Sequence, residues 1–240
     1  MELGAFVSLE DISDALPSYE EEVVSVEMDP ILAKTYEEIE TDIKRALEEH
    51  RGNQSVISTG LNALMLYPDR PFDLGTLYGY SVDPETGERE RFVITDPPDL
   101  DQRFVYAKER RLVEEVKSEL AQGRRCQIFA VYTQKRDVTQ RLKEILSREG
   151  IHVEILTTAV PPEAREAWYE RQLKAGMQVC ICHPRLVATG MDLLAQPTIL
   201  FYESGYSTFT LRQASRRSWR IGQTRPVNYV EYEDGRLCSF

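Results

Sequence analysis

CQIFAVYTQKRDVTQRLKEILSREGIHVEIL, residues 126–156, is the stretch on which the fold is decided. Residues 126–132 form a short apolar run whose only amide is Gln127, the pattern of a strand covered on both faces. Residues 135–148 read as a helix stopped by Gly150, and 151–156 as a second strand. Strand, helix and strand joined by short turns imply a parallel crossover, because parallel neighbours cannot be joined by a hairpin.

Working outward, the alternation continues on both sides. A helix is predicted over 102–122, ending at Gly123. Downstream, a helix over 162–174 is opened by Pro161-Pro162 and closed by Gly176. Strands follow at 177–182 and 197–202, then a helix at 207–217 and a last strand at 227–232. The expected class is α/β, a parallel sheet with helices on both faces, whose ligands sit at the carboxyl ends of the strands.

The front of the chain is organised differently. Residues 1–20 read as an acidic tail or tether. EEVVSVEMD (21–29) reads as a strand, and Asp29-Pro30 as an N-cap followed by proline at the first helical position. Ile31, Leu32, Tyr36, Ile39, Ile43 and Leu47 make a helical stripe closed by Gly52, and a second helix fits 54–66. TLYGYSV and RERFVIT flank DPETGE, which predicts a small β-hairpin with its loop at Pro84 to Gly87; DPPDLD (96–101) reads as a linker. The boundaries are therefore 1–20 tail, 21–71 strand plus helices, 72–100 hairpin and linker, and 101–240 for the α/β lobe.

The net charge of −11 hides an asymmetry. Residues 1–100 carry 7 Lys and Arg against 23 Asp and Glu, whereas 101–240 carry 22 against 17. Phosphate recognition needs a local basic surface, and the second part can supply one. Cys180, Cys182 and His183 sit together in MQVCICH, but Cys126 and Cys238 offer no second spaced pair, so the reading is a buried strand and no metal site. Four cysteines are too few for a disulfide framework, no stretch suits a bilayer, and the first residues lack a secretion signal, so the expected location is the cytoplasm.

LRQASRRSWRIGQTRPV (211–227) carries the strongest chemical signal. If 207–217 is helical, Gln213 and Arg217 share a face, with Arg220 just past its end. Two guanidinium forks and an amide aimed at one place form a receptor for a polyanion. ATGMDLL (188–194) adds a Gly-x-Asp after a strand, with Gly190 and Asp192.

These segments resemble the last two motor motifs of Swi/Snf-type ATPases within helicase superfamily two, related to the DEAD/DEAH-box helicases. Gln213, Arg217, Arg220, Ile221, Gly222 and Gln223 match the Gln, Arg, Arg, Ile-Gly-Gln pattern position by position. AVPPEAREAWYERQL (159–173), with Arg165, LPSYEEEVVSVEMDPILAKTYEEI (16–39) and NALMLYPDRPF (62–72) are similar to further family segments. The resemblance implies a RecA-like C-terminal lobe. Arg217 and Arg220 would be arginine fingers, with Gln213 beside them, and Gly190 and Asp192 would face the nucleotide. Thr133, Gln134, Arg165, Arg185 and Thr189 are the candidate nucleic-acid contacts. ATP and Mg²⁺ are the implied cofactors, held mainly by a first RecA-like lobe of the same parent chain. No Gly-x-x-x-x-Gly-Lys-[Ser/Thr] loop occurs here, so that lobe is expected upstream and this chain alone is expected not to hydrolyse ATP. DNA is the expected second partner. The alternative is a non-motor RecA-like module that binds protein or nucleic acid.

Overall fold

The computed structural model describes residues 16–83, 86–132, 136–187, 191–203, 213–214 and 216–234. Two compact units emerge. One is chiefly Val26–Arg110; the other joins the residues up to Ser25 with Arg111–Thr133 and Asp137–Glu233.

In the first unit, α1 (Pro30–Glu49) and α2 (Gln54–Leu66) pack on a hairpin of β2 (Leu77–Val82) and β3 (Arg89–Thr95), numbered after β1 (Tyr19–Val26). Four of the six stripe residues, Leu32, Tyr36, Ile39 and Ile43, form the buried face of α1 together with Ala46, all at most 5% exposed; Leu47 is only partly buried, and Ile31, in the first turn, is 54% exposed. Burying each large side chain contributes about 1.5–3 kcal/mol. Gly60 of α2 permits the close approach, since a Cβ there would stand 2.7 Å from Ile43 Cγ2. On the hairpin, a Cβ on Gly79 would collide with the Phe92 ring, which lies across it and stacks on His50 at 3.8 Å. Pro84 and Glu85, where the hairpin loop was placed, lie outside the described residues.

Two local features depart from the pattern expected of the sequence. Pro30 does open α1, but the Asp29 carboxylate makes no cap bond to that helix. It accepts from the Ala107 N–H and from Arg110 Nη2, both at 2.7 Å, and so serves the start of α3 (Ala107–Ala121). That helix also begins later than 102. Asp101 Oδ1 takes the Arg103 N–H at 2.8 Å, a local turn that competes with helix, and Glu109 caps from inside by accepting the Tyr106 N–H at 2.8 Å.

The second unit is built on six strands in the order β1-β8-β7-β4-β6-β5. The strands not yet placed are β4 (Cys126–Phe129), β5 (Val153–Leu156), β6 (Val179–Cys182), β7 (Thr198–Phe201) and β8 (Val227–Asp234). The pairs β4–β6, β4–β7, β5–β6 and β7–β8 are parallel, as the alternating order demanded. Between them run α4 (Thr139–Arg148) and α5 (Arg165–Lys174). Every residue of β4, β6 and β7 is buried, including Cys180 and Cys182. The one amide inside, Gln127, is satisfied: its Oε1 accepts the Tyr169 hydroxyl at 2.6 Å and its Nε2 donates to the Ile128 carbonyl at 3.1 Å.

Glu119 of α3 ties this sheet to its helix. Its carboxylate accepts from Arg124, from the Thr198 hydroxyl that opens β7, and from Asn228 Nδ2 of β8 at 3.3 Å. Burial pushes the Glu119 carboxyl up, but the bonds from Arg124 and Thr198 outweigh it and hold it below its ordinary range.

Candidate functional site

The site grows from the segment that enters β8. Gln213 and Ala214 are helical, Ala214 is fully buried and Gln213 is exposed. Most of the helix expected over 207–217 lies outside the described residues. The helix does not reach Arg217, however: residues 216–220 are turn and bend, and the Arg217 N–H reaches back to the Ala214 carbonyl at 3.1 Å. The next two side chains draw the backbone off the helical path. Ser218, fully buried, donates its hydroxyl to the Gln196 carbonyl at 2.6 Å. Trp219 gives its indole N–H to the Pro17 carbonyl at 2.8 Å and leans on Tyr19, with ring centroids 5.0 Å apart.

Gly222 then takes φ 101°, a left-handed value that a side chain would resist, and this turns Gln223 inward. Gln223 uses both ends of its carboxamide. Nε2 donates to the Leu194 and Ser218 carbonyls and Oε1 accepts from the Thr224 and Arg225 N–H groups, all at 3.1 Å. The Ile-Gly-Gln of the motif is therefore the brace of the loop. Sequence reasoning matched Gln223 to a pattern but gave it no role; the role needs the partners, one of which, Leu194, comes from a segment 29 residues earlier.

That earlier segment carries Asp192. Met191 and Leu193 on either side are buried in the core, so the alternation sends Asp192 outward. The Leu193 N–H bonds the Arg217 carbonyl at 3.0 Å and locks the two segments together. The result is an ion pair, Arg220 Nη1 to Asp192 Oδ1 at 2.8 Å, with the two side chains 45% and 48% exposed. Arg217 stands within the field of both. Partial burial pulls its pKa down, Arg220 pulls the same way, and Asp192 opposes them. Two guanidinium groups with one carboxylate leave net positive charge on a solvent-facing turn.

The other predicted contacts scatter. Arg165 is committed to backbone, donating from Nε to the Val160 carbonyl at 3.3 Å and from Nη1 to the Leu186 carbonyl at 3.0 Å; it ties α5 to the loop after β6. Arg185 is exposed in that loop, and its N–H is capped by His183 Nδ1 at 3.0 Å. Burial, aided by Arg185, lowers the His183 pKa. Thr133, Gln134, Thr189 and Gly190 lie outside the described residues. Sequence reasoning passed over Glu203. Its buried Oε2 accepts the Val131 and Tyr132 N–H groups at 2.7 and 2.9 Å and shapes the turn leaving β4. An acid closing an apolar strand was the available signal. Among the described residues no group of three or more His, Cys, Asp or Glu side chains is placed to hold a metal, and no helix is long and apolar enough to cross a membrane.

Comparison with known proteins bears on the fold. Residues 107–222 match the helicase conserved C-terminal domain. Helicase SWR1 of Yarrowia lipolytica is 28% identical over 152 residues, 63% of this chain and 8% of its own length. The C-terminal part of the Fun30 ATPase domain superposes with a TM-score of 0.67 at 14% identity, covering 92% of this chain and 87% of that one. The Sulfolobus solfataricus SWI2/SNF2 ATPase core, solved in complex with dsDNA, gives 0.63 at 17%, covering 91% and 41%. Residues 107–222 thus form a helicase conserved C-terminal domain, and the relatives and solved structures to which the chain is similar include Swi2/Snf2-type ATPases.

Proposed function

We propose that this chain is the second motor lobe of an ATP-dependent DNA translocase, and that Arg217 and Arg220 are its contribution to nucleotide hydrolysis. The observation that carries the reading is the Arg217–Arg220 turn: two arginines on a loop braced by Gln223, with Arg217 partly desolvated and Arg220 half exposed and paired with Asp192. Such a pair suits phosphoryl oxygens, and positive charge placed where those oxygens gain charge is worth about 10³–10⁵ in rate. Bound triphosphate supplies the phosphoryl group to be transferred. This chain's part is to hold its terminal oxygens through the two guanidinium forks, with Asp192 orienting Arg220 until the phosphate competes for it. Magnesium and the phosphate loop are assigned to the first lobe, since the described residues offer no carboxylate cluster for the metal. DNA is proposed as the track because the related SWI2/SNF2 core was solved on dsDNA and residues 101–240 are basic on balance. The free, buried thiols of Cys126, Cys180 and Cys182 suit a reducing compartment such as the cytoplasm.

The test is DNA-stimulated ATP turnover by the full-length parent. Arg217→Ala is expected to lower it by about 10³-fold with the unfolding transition unchanged, and Arg217→Lys is expected not to restore it. Normal turnover in Arg217→Ala would refute the assignment.

A further inference from the structure

The hairpin of β2 and β3 has no part in the nucleotide chemistry, yet its outer strand is left open in a specific way. The backbone of Tyr80 is bonded sideways, away from β3: its N–H goes to Ser55 Oγ at 2.8 Å and its carbonyl accepts Asn53 Nδ2 at 2.7 Å. The Tyr78 carbonyl likewise accepts the Thr59 hydroxyl at 3.4 Å. Residues of an antiparallel pair alternate between facing each other and facing away. Tyr80 pairs with Arg91, Tyr78 with Val93 and Val82 with Arg89. In β3 the N–H and C=O groups of Arg89, Arg91 and Val93 must therefore point away from β2. Helix α2 covers the corresponding edge of β2, whereas no hydrogen bond among the described residues covers this edge of β3.

The side chains of the same three residues lie on the solvent face. Val93 and Val82 are 58% and 65% exposed. Arg89 stacks over the Tyr80 ring at 4.0 Å and Arg91 over Tyr78 at 4.1 Å. The aromatic faces are thus occupied, while among the described residues no carboxylate pairs with either guanidinium, and both are held in place before a ligand arrives. Ladder, charges and apolar ends form one strip.

We propose that the outer edge of β3 receives an extended acidic segment of a partner protein as a third strand. Backbone pairing runs through Arg89, Arg91 and Val93. Alternate carboxylates of the guest meet Arg89 and Arg91, and an apolar side chain meets Val93. A polypeptide is favoured over nucleic acid because an open N–H and C=O ladder is matched by another backbone, not by phosphates.

The experiment uses the 240-residue chain and a fluorescein-labelled peptide alternating glutamate with threonine and ending in valine, with a lysine-for-glutamate peptide and a DNA duplex as the other probes. Anisotropy is expected to show binding of the glutamate peptide alone, with slowed amide exchange at Arg89, Arg91 and Val93. Arg89→Glu with Arg91→Glu is expected to weaken it about tenfold. Val93→Pro, which removes one outward N–H and spares the β2 pairing, is expected to weaken it as well. The proposal is overturned by an absence of peptide binding at about 1 mM, by binding indifferent to both variants, or by duplex binding that depends on these arginines while the peptide does not bind.

Discussion

Two ion pairs in the same α/β unit use the same chemistry to opposite ends. Glu119–Arg124 is nearly sealed, with side chains 3% and 15% exposed, and its carboxylate also holds Thr198 and Asn228. Asp192–Arg220 is half open, at 48% and 45%, and among the described residues Asp192 has no second bond of the kind Glu119 has. A buried pair has been withdrawn from water and must keep its partner, so it works as a bolt. An exposed pair loses little when its partner is exchanged for another anion. That contrast is why the first belongs to the fold and the second to the site.

The sharpest way to break the comparison is to remove the bolt. Glu119→Ala strands Arg124 beside two unpaired polar groups and is expected to cost about 3–5 kcal/mol, read from the urea midpoint of the α/β unit. The pH dependence has a definite sign. The folded pKa of Glu119 lies below its ordinary value of 4.5, so its stabilisation is present above that value and is lost as pH falls through the folded pKa. An acid titration of stability should therefore show a loss below about pH 4.5 that flattens in Glu119→Ala.

A middle-sized effect is expected from the brace. Gln223→Ala leaves the Leu194 and Ser218 carbonyls and two N–H groups without their protein partner. A loss of about 1–3 kcal/mol is expected, together with faster amide exchange at Thr224 and Arg225. Unchanged exchange there would mean that the arginine turn is held by something other than Gln223.

The smallest effect belongs to the open pair. Asp192→Asn is expected to change stability by less than about 1 kcal/mol. A cost matching that of Glu119→Ala would erase the distinction between bolt and site, and with it the reason to treat Arg220 as free to take a phosphate.

Much of this was legible in residue order alone. The strands at 126, 153, 179, 198 and 227, the parallel crossovers, the stripe of α1 and the hairpin all follow from local periodicity and from glycine and proline punctuation, because short-range sterics and a two-sided apolar layer leave few other choices. The cluster of Arg217, Arg220 and Asp192 was also nameable, since arginine spacing and a Gly-x-Asp are visible in a line of text. What the tertiary structure alone decided is which charges are committed and which are available. Asp29 looked like a cap for its own helix and serves one that begins near residue 107; Arg165, a candidate nucleic-acid contact, is tied to two carbonyls; Gln223 looked like pattern and is the brace. A side chain's partner is set by whatever distant backbone folds within about 3 Å of it, and hydrogen bonding over that range is invisible to a one-dimensional pattern.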